Sequence, residues 1–188
     1  MSNQTIFPSL HLIIGCMYAG KTTKLINTYK EADKNNFKSI ILTHSSENRY
    51  SIDEISTHDN QTLPCVKYST IQSFIENETK FINSSDIILI DEAQFFTDLT
   101  DVLILVEKYK KQVHVFGLDG DYKRTKFGSI LDIIPLCDTI EKITSKCMCN
   151  DTAIFSNRTV HNNEQILVGS VDIYEPLCRS CYVKKNNL

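Results

Sequence analysis

Three groups of residues in this chain have types and spacings that suit chemistry. The first is residues 15–22, Gly-Cys-Met-Tyr-Ala-Gly-Lys-Thr, a G-x-x-x-x-G-K-T spacing. Gly15 and Gly20 let the backbone turn so that its N–H groups line an anion-holding concavity. A helix that starts there adds its positive end. Lys21 can reach the outer phosphates of a nucleotide, and the Thr22 hydroxyl can ligate Mg²⁺. Gly15, Cys16, Met17, Tyr18, Ala19, Gly20, Lys21 and Thr22 are therefore expected to bind ATP.

The second group is Asp91-Glu92, at the end of the apolar run Ile87-Ile88-Leu89-Ile90. Carboxylates that terminate a buried strand beside a phosphate loop suit a Mg²⁺ ligand and a proton acceptor. Thr22 and Asp91 are the expected magnesium pair, and Glu92 can take a proton from an attacking hydroxyl or water. Asp-Glu-Ala-Gln also echoes the acidic box of helicases. Motors of that kind usually need two such domains, and 188 residues hold about one.

The third group is the cysteines, seven in all. An odd number argues against a disulfide framework. Cys178 and Cys181 form a C-x-x-C pair, and Cys147 and Cys149 form a C-x-C pair. The reading is one structural Zn²⁺ on Cys147, Cys149, Cys178 and Cys181. The alternative leaves Cys147 or Cys149 as a buried free thiol, with some other fourth ligand.

Short apolar strands and helical spacings must position these groups. Residues 9–14, 39–43, 86–91, 113–118 and 139–144 read as strands, and 22–35, 71–82, 99–110 and 128–135 as helices. Residues 45–63 are polar and aperiodic and read as a long loop. Alternation of this kind predicts an α/β fold, a P-loop parallel sheet with helices on both faces. After residue 144 the character changes to short β-like pieces flanked by cysteines. The chain is read as an ATP-binding domain, 1–144, and a zinc-binding lobe, 145–188.

Ligands in such sheets sit beyond the carboxyl ends of the strands. Phe95 and Phe96 fall there, as does the stretch from Gly117 to Gly128, Gly-Leu-Asp-Gly-Asp-Tyr-Lys-Arg-Thr-Lys-Phe-Gly. Aromatic side chains at that edge can stack on a nucleobase, although core packing is the commoner fate of any one of them.

A net charge of −3 argues against a nucleic-acid partner. No apolar run approaches the roughly 20 residues that cross a bilayer, so no membrane partner is expected. The N-terminus lacks a signal-peptide pattern, and a reducing, cytoplasmic setting is expected. From these residues alone the chain is a P-loop kinase or ATPase with a zinc lobe.

Taken together, the motifs make the chain resemble the type II thymidine kinases, the cellular and poxvirus-type family. The likeness runs through the 15–22 loop, Arg49-Tyr50, Thr57-His58-Asp59, 91–96, 117–128, Phe155 with Arg158, and 168–181. The resemblance implies transfer of the ATP γ-phosphoryl group to the 5′-hydroxyl of thymidine, with Glu92 as general base. It implies a thymine pocket lined by Met17, Phe95, Leu118, Tyr122, Phe127 and Tyr174. It places backbone groups of Gln165, Ile166, Leu167, Val168 and Gly169 on the base edge. A lasso held by Arg158 would close over the nucleoside. It implies a homotetramer as well. The chain departs from the family pattern at Glu47 (usually Asp), Tyr122 (usually Phe), Asp121 (often Thr or Ser) and the shortened C-x-C. Two other readings stay open: a nucleotide-binding regulatory module without turnover, and a zinc-ribbon ATPase stimulated by nucleic acid.

Overall fold

The computed structural model describes residues 6–46, 54–56, 62–161, 163–167 and 173–188. Arg49-Tyr50, Thr57-His58-Asp59, Glu47, Val168 and Gly169 lie outside them.

In chain order the strands are β1 (Ser9–Gly15), β2 (Ser39–His44), β3 (Glu54–Ser56), β4 (Thr62–Pro64), β5 (Val66–Tyr68), β6 (Ile87–Ile90), β7 (Gln112–Gly117), β8 (Thr139–Ile143), β9 (Ser145–Lys146), β10 (Thr152–Ala153), β11 (Phe155–Arg158) and β12 (Tyr174–Leu177). The helices are α1 (Lys21–Lys34), α2 (Ile71–Asn77), α3 (Thr79–Ser84) and α4 (Arg179–Lys185). Six strands form one sheet in the order β5-β2-β6-β7-β1-β8, with every pairing parallel.

β6 is buried along its whole length, which is why it reads as an unbroken apolar run rather than an alternating one. On one face of the sheet, Leu10, Leu12, Ile88, Val113 and Val115 pack with Ile71, Phe74 and Ile82 of α2 and α3, and with Phe96 and Leu99. On the other, Ile13, Ile41, Leu89 and Phe116 pack against Leu25, Ile26 and Ala32 of α1. The expected α/β sheet, with helices on both faces, is the observed one.

Several expected helices take other forms. The 71–82 helix is two short ones, because Glu78 leaves helical geometry (φ −107°, ψ 21°) while its carboxylate accepts from the Tyr68 hydroxyl at 2.7 Å. Asp98 caps the first of them from outside, accepting from the amides of Ile71 and Gln72 at 2.9 Å each. The stretch read as 99–110 starts as a 3₁₀ turn and widens into a π-helix over Ile104–Lys108. The 128–135 segment is a 3₁₀ helix, Ile130–Leu136, with Pro135 inside, where the missing N–H cannot serve an α-helical ladder. The polar 45–63 stretch is not all loop, since β3 and β4 pair there as an antiparallel hairpin.

After β8 come two small antiparallel pairs, β9 with β10 and β11 with β12, and then α4. Their core is a separate cluster of Cys147, Ala153, Leu177, Cys178 and Tyr182, with Phe155 and Cys181 against it. Among the described residues, no helix is long and apolar enough to cross a membrane.

Candidate active site

The phosphate loop leaves the carboxyl end of β1. Gly20 takes φ 85° as the N-cap of α1, and a Cβ built there would meet nothing within 4 Å, so the backbone faces open space. Lys21 bends across the loop, its Nζ donating to the carbonyls of Gly15 at 3.1 Å and Cys16 at 2.8 Å. Burial pulls its pKa below the ordinary lysine value, while Glu92, Cys16, Asp91 and Asp119 pull the other way. Not every amide of the loop faces the open side. The Met17 N–H donates to Ser156 Oγ at 3.0 Å, and the Cys16 thiol, pushed up by burial, donates to the Ala153 carbonyl at 3.5 Å. β10 and β11 thus buttress the loop from behind.

β6 ends at Asp91, which is 4 % exposed, and the Thr22 hydroxyl lies 3.4 Å from its Oδ2. A hydroxyl and a buried carboxylate at that separation, beside a phosphate loop, are a donor set that fits Mg²⁺. Glu92 follows in left-handed backbone, φ 51°, its N–H donating to Asp91 Oδ1 at 3.0 Å. Its Oε2 accepts from Gln94 Nε2 at 2.6 Å.

The aromatic residues gather at the same edge. Phe95 meets Phe127 edge to face at 5.5 Å, while Phe96 is fully buried and belongs to the core. Leu118 is anchored through its N–H to Gln94 Oε1 at 3.0 Å. Asp121, 8 % exposed, folds the following turn. Its Oδ1 accepts from the amides of Lys123 and Thr125 at 2.8 Å each, and its Oδ2 accepts from Gln165 Nε2 at 2.9 Å.

Arg158 reaches much of the C-terminal segment. Its guanidinium lies 3.8 Å over the Tyr122 ring. It donates to the Tyr174 hydroxyl at 2.7 Å, to the Glu164 carbonyl at 2.6 Å and to the Gln165 carbonyl at 3.0 Å. Tyr174 in turn donates to the Leu167 carbonyl at 2.9 Å. The structure therefore joins Tyr122, Arg158, Gln165, Leu167 and Tyr174 in one connected group. Ile166 is different, 51 % exposed.

The four cysteines meet. The sulfurs of Cys147, Cys149, Cys178 and Cys181 all lie within 4.8 Å of one another. The C-x-C half works because β9 and β10 close a tight turn there: Asn150, in left-handed backbone (φ 70°), donates to the Cys147 carbonyl at 2.8 Å, and Met148 swings outward, 77 % exposed. On the other half Cys178 is the N-cap of α4 and Cys181 lies in its first turn. Although burial opposes it, the backbone groups of Cys149 and Cys178 bring the Cys147 thiol down to about 7. The neighbouring thiols push Cys181 up to about 12. Four converging thiols that cannot all ionise alone are a donor set that fits Zn²⁺.

Local motifs do not point to Ser156 and Tyr182, whose partners lie 139 and 60 residues away in the chain. Gln94 stands in the Asp-Glu-Ala-Gln stretch beside its partner Glu92, but its second partner, Leu118, lies 24 residues on, beyond the reach of a spacing rule.

A parallel sheet with a phosphate loop after β1 and an acidic turn after β6, two places away across β7, defines a P-loop nucleotide-binding protein. The comparisons with known proteins narrow this. The thymidine kinase family model matches residues 8–182. The chain is 40 % identical over 188 residues to a thymidine kinase of Oryza sativa subsp. japonica, covering 97 % of this chain and 69 % of that one. It is 35 % identical to the thymidine kinase of Fowlpox virus (93 % of this chain, 96 % of the other). With the thymidine kinase of Bacteroides thetaiotaomicron the identity is 34 % (93 % and 87 %). The chain belongs to the thymidine kinase family.

Proposed function

We propose that this chain phosphorylates thymidine, moving the γ-phosphoryl group of ATP to the nucleoside 5′-hydroxyl and releasing dTMP and ADP. Family membership names the reaction. The observation that carries it to residues is the meeting of Thr22 and Asp91 at 3.4 Å, next to Glu92 and beneath Lys21.

In this reading the amides of the 15–22 loop and the Lys21 ammonium stabilise charge on the phosphates. Thr22 and Asp91 would hold Mg²⁺, which when bound would offset charge on the phosphates of ATP. Glu92 takes the proton of the 5′-hydroxyl as the oxygen attacks in line. Phe95, Leu118, Tyr122, Phe127, Met17 and Tyr174 enclose the base. Arg158 holds the carbonyls of Glu164 and Gln165, and Tyr174 that of Leu167; in this reading backbone groups of residues 165–169 serve the base edge, Val168 and Gly169 lying outside the described residues. Cys147, Cys149, Cys178 and Cys181 would hold Zn²⁺. A closed four-sulfur site has no open position, so its part is structural. A cytoplasmic homotetramer without a nucleic-acid partner is the form that belongs to this reading.

The test is product formation with Mg-ATP and each deoxynucleoside in turn. Rapid dTMP formation, with deoxyadenosine and deoxyguanosine inert, is expected. Folded protein that binds ATP yet phosphorylates no nucleoside would overturn the assignment.

A further inference from the structure

Gln94 is 2 % exposed in the 3₁₀ turn Ala93–Phe95, and both ends of its carboxamide are used. Nε2 donates to Glu92 Oε2 at 2.6 Å, and Oε1 accepts from the Leu118 N–H at 3.0 Å. The reverse amide orientation would set oxygen against carboxylate and N–H against N–H, so the two partners determine which way the group faces. The side chain therefore ties the exit of β6 to the exit of β7.

The surroundings leave room for it and little else. A Cβ at position 117 would sit 2.6 Å from Gln94 Oε1 and 2.5 Å from Ile130 Cδ1, so the glycine there admits the amide. A Cβ on Gly128 would fall 2.0 Å from the Gln94 carbonyl oxygen. Glu92 itself holds a left-handed backbone, φ 51°, which a non-glycine residue keeps only when its surroundings enforce it. Its amide is held by Asp91 and its carboxylate by Gln94.

We propose that Gln94 is a positioning residue for the phosphoryl transfer: it aims the Glu92 carboxylate and couples it to the loop that begins at Leu118. This rests on Glu92 being the proton acceptor. One buried carboxamide serves both partners, so removing its donor leaves a base that is less well aimed.

The experiment measures kcat and both KM values for wild type, Gln94→Met and Gln94→Glu, with ATP binding and thermal melting as fold controls. Methionine matches the glutamine in size but cannot donate. Glutamate keeps the shape and an acceptor for the Leu118 N–H, replaces the donor with a second carboxylate, and serves if the methionine variant does not fold. The expected result is a kcat loss on the order of 10- to 100-fold in both variants, with the KM for ATP within about twofold of wild type. A folded variant that keeps kcat, or whose loss falls in the KM for ATP instead, overturns the proposal. Glu92→Gln is assayed alongside. Near-wild-type turnover there would remove the base assignment itself, whereas an inactive Glu92→Gln with unchanged kcat at position 94 removes only the role of Gln94.

Discussion

The phenolic hydroxyl of Tyr182 donates a 2.6 Å hydrogen bond to the backbone carbonyl of Tyr122. Tyr182 directly follows Cys181, and Tyr122 lies in the loop that follows β7. Arg124 from the same loop sits 4.6 Å over the Tyr182 ring. The four-cysteine cluster is thus one residue removed from a contact that sets the loop after β7. Replacing Tyr182 by Phe keeps the buried ring and deletes the bond. A single hydrogen bond of this kind contributes ~1 kcal/mol. The expected outcome is a rise of about 3- to 10-fold in the thymidine KM, with bound zinc and the KM for ATP unchanged. Steady-state kinetics with both substrates varied, plus metal analysis, checks it. An unchanged thymidine KM would disconnect the two regions.

Asp121 ties its own loop to the segment that carries Gln165. In Asp121→Ala two backbone amides lose their acceptor. The variant is expected to lose ~2 kcal/mol of stability, which at this chain length lowers Tm by about 4–8 °C. Gln165→Leu, which leaves the amides satisfied, should keep Tm and weaken thymidine binding. Calorimetry on both variants separates the two effects, and equal Tm losses would show that the side-chain pair, not the turn, is the stabilising part.

Purified protein is expected to carry one zinc per chain on the four cysteines. A strong chelator should lower Tm on the order of 10 °C. Because Ala153 and Ser156 hold Cys16 and Met17, ATP binding should weaken together with thymidine binding. Metal-free protein with the same melting temperature and the same affinity for both substrates would contradict a structural zinc.

Stability should fall in mild acid through His114. It stacks on His11, with ring centroids 4.6 Å apart. Burial first, and the neighbouring His11 second, bring its pKa from 6.5 to about 4. Burial also lowers His11, against the pull of Asp138. The unfolded chain thus takes up a proton near pH 6.5 that folded His114 refuses until about pH 4. Stability is complete above pH 6.5 and declines as pH falls between those values, by up to ~3 kcal/mol. Melting curves at pH 7.5 and 4.5 should diverge less in His114→Phe than in wild type. An identical divergence would place the acid sensitivity elsewhere.

Much of the fold was legible in the sequence because its signals are local. β6 announces itself as four consecutive branched or leucine side chains, since a strand buried on both faces needs no polar alternation. The 15–22 spacing, the carboxylates at 91 and 92 and the paired cysteines are short patterns whose chemistry follows from residue type. Those same patterns misjudged helix form where a single distant contact or a proline intervened, as at Glu78 and Pro135. They also could not resolve how a C-x-C half-site meets a C-x-x-C one 29 residues away. That took the β9–β10 turn and α4.

By itself the sequence determined which residues are able to do chemistry and that they sit on a parallel α/β frame, because both depend on neighbours a few positions apart. Only the tertiary structure decided which of them meet. Gln94 finds Leu118, Ser156 finds Met17 and Tyr182 finds Tyr122 through sheet order and lobe packing. Such long-range contacts arise from burying apolar surface across the whole chain, and that burial leaves no spacing to read in any one segment.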